Sequence, residues 1–266
     1  MPLKRNNVNI LGSGPRTIVM AHGFGCDQNM WRLLIPHFVR DYRIVLFDYT
    51  GCGKSDASQF SVEKYSSLNG YVQDLLDVCQ ALDLKDTLLI SHSVSTMIGL
   101  IAAENDPDRF HSMAMICPSP CFLNLPPDYF GGFERSDLEE LLTMMDKNYI
   151  GWAHYLGRAV IGAQNGADLA AELSGSFCST DPVIAKTFAR AAFLSDLRDL
   201  LPRARHPALI LQSAADALAA QTVGEYIHAH MPASQLSVVE ATGHCLHMTH
   251  PAEVARLIRA FAPAFP

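Results

Sequence analysis

Three residue types that together make an acyl-transfer site stand in three separate stretches of this chain. Ser93 sits in "LLISHSVSTMIGLIAA" (88–103), where an apolar run breaks into Ser91-His92-Ser93-Val94-Ser95 and then resumes. Asp216 is the only carboxylate in "SAADALAA" (213–220), and His244 follows Gly243 in "TGHCLHMTHP" (242–251). A serine hydroxyl is a weak nucleophile until a base takes its proton, and that base works when a third group orients it. One hydroxyl, one carboxylate and one imidazole, each in its own loop, predict that chemistry.

The elements around them have to place all three at one end of a sheet. A short strand pair is expected around "NVNIL" and "TIVMAHG", followed by a helix over "MWRLLIPHFVR", a strand over "YRIVLFDY" and a turn-rich loop, "TGCGKSDAS". An amphipathic helix is predicted from about Ser67 to Leu82, with apolar residues at Leu68, Val72, Leu75, Leu76 and Cys79. Strand 87–90, helix 94–105 and strand "FHSMAMICPS" come next. Continuous apolar strands alternating with helices indicate a parallel sheet covered on both faces. From 119 to 196 the pattern is helical and rich in aromatics and methionines, with no strand signal. The alternation returns in "PALILQS", "TVGEYIHAHM", "QLSVVEA" and "AEVARLIRAF". The expected organisation is a core of 1–118 and 197–266 with a helical lid, 119–196, inserted into it.

Strand 87–90 runs at once into Ser91-His92-Ser93-Val94-Ser95 and a helix. This resembles the nucleophile elbow of α/β-hydrolases, G-x-S-x-G, with serine at both flanking positions in place of glycine. Small flanks are needed because strand and helix pass close together. A plainer alternative is that Ser95 caps the helix. Asp216 and His244 also follow predicted strands, and open α/β sheets gather their sites at strand carboxyl ends. The loop "AHGFGCDQ" follows the strand "TIVM", and its glycines free the backbone to approach a ligand. The amides of Phe24 and Val94 are the expected oxyanion donors.

Other groups read as structural. Asp48, Asp56 and Asp196 suit turns and caps. His244, His247 and His250 are three apart, but Pro251 opens the next helix and no second ligand cluster accompanies them, so no metal is assigned. "TGCGKS" lacks the spacing of a phosphate-binding loop. With 49% hydrophobic residues and 18% charged ones, the chain can bury a sizeable core. A net charge of −7 argues against nucleic acid. No apolar run approaches the length a bilayer requires, and the N-terminus carries no signal-peptide pattern. Seven scattered cysteines without a CxxC pair suit free thiols in a reducing cytoplasm. No cofactor is called for.

With these residues assembled, the chain resembles α/β-hydrolases of the RsbQ and strigolactone/karrikin-receptor group. The likeness is carried by "HGFGCDQNMW", "LFDYTGCGKSD", "SHSVSTMIG", "PSPCFLN", "YFGGFE", "KNYIGWA", "FCSTDPVIAKTFARAAFLSD" and "GHCLHMTHP", from about residue 8 to 260. It implies a four-helix, V-shaped lid over an apolar cavity, a Ser93–Asp216–His244 triad, and Phe24 and Val94 as oxyanion amides. The group usually has glycine at position 91 and often proline at position 220; here these are Ser91 and Ala220. Phe24, Phe122, Phe133, Trp152 and Phe193, together with Met144 and Met145, are the expected pocket residues. Two roles stay open: a serine hydrolase of small hydrophobic esters or lactones, or a ligand-sensing signalling protein that works through a protein partner. Haloalkane chemistry would want aspartate where Ser93 stands.

Overall fold

The computed structural model describes residues 1–261. Its centre is a seven-stranded sheet in the order β1-β3-β2-β4-β5-β8-β9. The strands are β1 (Asn9–Leu11), β2 (Arg16–Ala21), β3 (Tyr42–Leu46), β4 (Thr87–His92), β5 (Phe110–Ile116), β8 (Ala208–Ala215) and β9 (Ser234–Thr242). All neighbours pair in parallel except β1, which runs antiparallel to β3. Two apolar clusters, one on each face, bury the alternating side chains: Ile18, Met20, Leu88 and Ile90 on one, Val19, Ala21, Leu89 and Met113 on the other. Strands buried on both faces carry a continuous apolar run, as Leu88-Leu89-Ile90 in the wholly buried β4 shows.

The helices of the core are α1 (Pro2–Arg5), α2 (Val62–Tyr65), α3 (Leu68–Ala81), α4 (Val94–Asn105), α9 (Gln221–His230), α10 (Leu246–Thr249) and α11 (Pro251–Phe261). Between β5 and β8 the chain forms a small hairpin, β6 (Asn124–Leu125) with β7 (Tyr129–Phe130), and then α5 (Arg135–Lys147), α6 (Tyr149–Ile161), α7 (Ala167–Ser179) and α8 (Pro182–Phe193). The segment leaves and rejoins the core at one place: Cys121 bridges Asp196, and the Leu197 amide donates to the Pro120 carbonyl at 2.8 Å. Helix starts are marked in the sequence. Asp181 accepts from the Val183 amide at 2.8 Å with Pro182 in the first turn, and Asn148 accepts from the Gly151 amide at 3.0 Å.

Three sequence expectations need correction. The helix expected over residues 30–40 is two short 3-10 turns, Gln28–Trp31 and Ile35–His37, because Pro36 cannot donate the amide a continuous helix needs there. β1 pairs with β3 and not with β2. The connecting loop crosses directly over the start of β3, where a side chain at Gly14 would lie 2.0 Å from the Asp41 carbonyl oxygen. The 119–196 segment contains strands, but each has two residues on either side of Pro126-Pro127, too short for an alternating pattern to register. The predicted core reaches residue 266, and 262–266 lie outside the described residues.

Three imidazoles are sealed in this core. His22, His92 and His247 are all buried, and burial lowers the pKa of each, that of His247 to about 3. Their folded values lie below the unfolded value of about 6.5, so the unfolded chain binds more protons and stability is complete only above that pH. Unfolding free energy is therefore expected to fall as pH drops below about 6.5, by up to roughly 1.4 kcal/mol per pH unit for each histidine. Urea midpoints at pH 7, 6 and 5 check this, and His247→Gln is expected to flatten the slope.

Candidate active site

Ser93 closes β4 and holds the N-cap position of α4, with φ +55° and ψ −126°. Few side chains tolerate that region, so the surroundings must hold it. The Ser93 amide donates to the Ile116 carbonyl at 2.9 Å, and its carbonyl accepts from both the amide (2.9 Å) and the hydroxyl (2.6 Å) of Thr96. The Ser93 side chain makes no cap bond, which leaves its hydroxyl free for other partners. Ser95 is not the helix cap. It lies inside α4, and its hydroxyl donates to the His22 carbonyl and pairs with the Tyr49 hydroxyl at 3.0 Å.

The loops after β8 and β9 meet this hydroxyl. His244 Nε2 lies 2.8 Å from Ser93 Oγ, and His244 Nδ1 lies 2.7 Å from Asp216 Oδ2. The other carboxylate oxygen of Asp216 accepts from the amides of Leu218 (2.8 Å) and Ala219 (3.2 Å), which fixes the carboxylate plane. With Nδ1–H donated to the carboxylate, Nε2 is left bare to receive the serine proton. The Asp216 side chain is fully buried, that of His244 is 2% exposed, and Ser93 keeps 9% of its surface open.

Below this line sits Cys117, whose sulfur gathers with Asp216 and His244 within 4.8 Å. Burial and the nearby Asp216 charge push its thiol well above the ordinary range, so it stays protonated. Asp216 and His244 are already engaged with each other and with neighbouring groups, so the cluster is accounted for by hydrogen bonding. His247 and His250 do not join it. His247 packs between Trp31 and His92, and His250 Nδ1 meets the Thr249 hydroxyl at 2.9 Å.

The loop after β2 supplies the opposite wall. His22 Nδ1 donates to the Gly23 carbonyl at 2.9 Å and its Nε2 accepts from the Tyr49 amide at 3.1 Å, a neutral tautomer with both nitrogens used. At Gly23 a β-carbon would fall 2.4 Å from His92 Nδ1; at Gly25, with φ +68°, it would strike the Phe177 ring. Phe24 and Val94 both line the pocket beside Ser93. As the first residue of α4, Val94 carries an amide with no acceptor in its own helix.

The pocket is narrow: the volume open to the centre of a water-sized sphere is about 30 Å³. Phe24, Phe122 and Phe193 line it as the sequence suggested; Phe133, Trp152, Met144 and Met145 do not. Phe133 packs edge-on against the back of Phe122, at 6.3 Å between ring centroids. Trp152 is fully buried behind Phe24 and stacks on Tyr149. Met145 is sealed in the helix core and Met144 faces outward. The lining that sequence reasoning missed comes from Leu156 and Val160 on α6, Leu173 and Phe177 on α7, and Ala192, Leu218, Cys26 and Cys245. Both helix pairs are spaced i, i+4, a signal of one shared face that was readable in the sequence. Asp48, Asp56 and Asp196 serve turns, a cap and an ion pair with Arg198.

The alpha/beta hydrolase fold family matches residues 16–251. The chain belongs to that family. It is 38% identical over 247 residues (92% of this chain, 91% of the relative) to a Petunia hybrida protein named karrikin insensitive 2 receptor CA. Against strigolactone esterase D14 of Arabidopsis thaliana it is 35% identical over 262 residues, covering 98% and 97% of the two chains. A solved hydrolase from Oleispira antarctica superposes with a TM-score of 0.97 at 53% identity, over 99% of this chain and 97% of that one. Within the family the chain falls in the strigolactone/karrikin-receptor-like group. As a member, it is a hydrolase.

Asp216→Asn keeps the shape of the carboxylate but turns the imidazole to the wrong tautomer. It is expected to lower ester turnover roughly 10⁴-fold with the circular dichroism spectrum unchanged, measured under substrate saturation.

Proposed function

We propose that this protein hydrolyses small, neutral, hydrophobic esters or lactones through an acyl-enzyme on Ser93, with His244 as base and Asp216 as its orienting partner. The observation that carries the reading is the unbroken line from Asp216 Oδ2 through His244 to Ser93 Oγ, at 2.7 and 2.8 Å, ending on an apolar pocket. Ser93 Oγ attacks the carbonyl carbon while its proton passes to His244 Nε2, and the buried Asp216 stabilises the imidazolium. The Phe24 and Val94 amides receive the negative charge on the carbonyl oxygen. Collapse of the tetrahedral intermediate breaks the ester C–O bond, and the leaving alkoxide takes the proton from His244. Water then repeats the sequence and frees Ser93.

The segment 119–196 acts in this reading as the lid, since α6, α7 and α8 supply Leu156, Val160, Leu173, Phe177 and Phe193 to the pocket roof. Relatives named esterases support ester chemistry. Seven free cysteines suit the cytoplasm, and no helix among the described residues is long and apolar enough to cross a membrane.

A second reading, a ligand-sensing regulator acting through a partner protein, is favoured by one observation. Relatives that cover 92% of this chain carry receptor names. It uses the same pocket; the RsbQ-like role belongs to the hydrolase reading. Retention of a partner by the wild type but not by a variant altered on the outer lid surface supports it. High catalytic efficiency on one metabolite with no retained partner removes it.

Ser93→Ala is expected to abolish hydrolysis of p-nitrophenyl acetate, while the wild type gains the mass of an acyl group when trapped with a slow ester or lactone. Unchanged turnover in the variant would remove Ser93 from the mechanism.

A further inference from the structure

The last turn of α6 ends against the loop that carries His244. A helix leaves its final carbonyls without partners of its own, and here two are taken by groups outside the helix. The Val160 carbonyl accepts from the His244 amide at 2.7 Å. The Ile161 carbonyl accepts from Asn165 Nδ2 at 2.6 Å, and the same nitrogen donates to the Thr242 carbonyl, also at 2.6 Å. A carboxamide nitrogen has two hydrogens, and both neighbours are carbonyl oxygens, which fixes the orientation of this side chain. Asn165 thus ties the lid helix to the last residue of β9, two positions before His244.

The approach is too close for any other arrangement. Gly243 has φ +101°, and a β-carbon there would fall 2.2 Å from the Ile161 carbonyl oxygen. The Gly243 amide in turn donates to the Ala215 carbonyl at 2.8 Å, one residue before Asp216. On the far side, the His244 carbonyl meets His92 Nε2 at 3.0 Å. The backbone of His244 is therefore held by the lid at its amide and by the elbow at its carbonyl.

We infer that Asn165 is a positioning residue: its carboxamide clasps the His244 loop to α6, so the imidazole reaches Ser93 only while that lid helix is seated. The inference rests on the acyl-enzyme reading above and adds a dependence of the base on the lid. Anything that lifts the end of α6 would draw His244 away from Ser93, along with the Val160 side chain that lines the pocket.

The test is Asn165→Asp, which keeps size and shape but presents a carboxylate to two carbonyl oxygens, with Asn165→Ala as a second variant. Steady-state p-nitrophenyl acetate kinetics are read beside the downfield proton resonance of His244 Nδ1–H, with Ser93→Ala as control. The clasp predicts that kcat falls about 10- to 100-fold while KM stays within about threefold, because a small displacement of a reacting group costs that much. It also predicts broadening of the resonance. A lid residue with only a packing role would raise KM or lower the melting temperature and leave the resonance sharp. The inference is overturned if kcat and the resonance match the wild type in either variant, if KM alone changes, or if neither variant folds. Full turnover in Ser93→Ala would overturn the acyl-enzyme reading instead, and the resonance would still decide the clasp.

Discussion

The site depends on one backbone conformation, that of Ser93 between β4 and α4. A serine at φ +55° and ψ −126° costs of order 1–3 kcal/mol and persists only where its neighbours over-determine it. Three hydrogen bonds do so, to Ile116 and Thr96. The strand and helix must also pass close together, and the familiar solution is glycine at both flanks of the nucleophile. This chain has serine at both flanks and a close approach one turn further on, where a β-carbon at Gly99 would lie 2.6 Å from Leu89 Cδ2. Gly99 is four residues beyond Ser95 and so on the same helix face.

The flanks, Ser91 and Ser95, stay small but are polar. Ser95 fastens α4 to the loop after β2, through the His22 carbonyl and the Tyr49 hydroxyl. His22 then continues the connection, donating to Gly23 and accepting from Tyr49. The bond accepted at Nε2 needs the neutral ring, in keeping with the downward shift that burial imposes on its pKa. The wall carrying Phe24 is thus referenced to the helix carrying Val94 by a short run of hydrogen bonds. That suits the oxyanion role proposed for their amides, since such donors work best when they need no reorganisation as charge develops.

The three triad candidates were legible in the sequence because Ser93 and Asp216 follow the apolar runs of β4 and β8 and His244 follows Gly243 at the end of the more mixed β9, and parallel strands bring such loops to one edge. The parallel core was legible for the same reason. The pocket was less so. Trp152 and Phe133 drew attention by ring size, yet large rings fill space behind a lining as readily as they form it. The residues that face the cavity from α6 and α7 are mainly aliphatic pairs, and only their spacing marks them. Pro36 in the stretch read as a helix was a visible breaker whose effect outweighed the apolar periodicity. The hairpin around Pro126-Pro127 left no pattern, since two-residue strands are shorter than the roughly four to eight residues over which alternation can be read.

The chemistry of the pocket limits what can enter it. Among the described residues its lining holds no acidic side chain and no Lys or Arg, and its ring nitrogens come from His92 and His244. His92 is kept neutral by burial and by the neighbouring His247 and His244, and one of its nitrogens is already committed to the His244 carbonyl. A charged substrate would lose its hydration without meeting a countercharge, a penalty of several kcal/mol at least. A neutral ester, the proposed substrate class, meets no such barrier, and the proposed oxyanion amides of Phe24 and Val94 belong to residues that line the same pocket. In the proposed mechanism, selection by desolvation and orientation by the oxyanion donors would then be the same event, with the Asp216–His244–Ser93 line as the polar anchor.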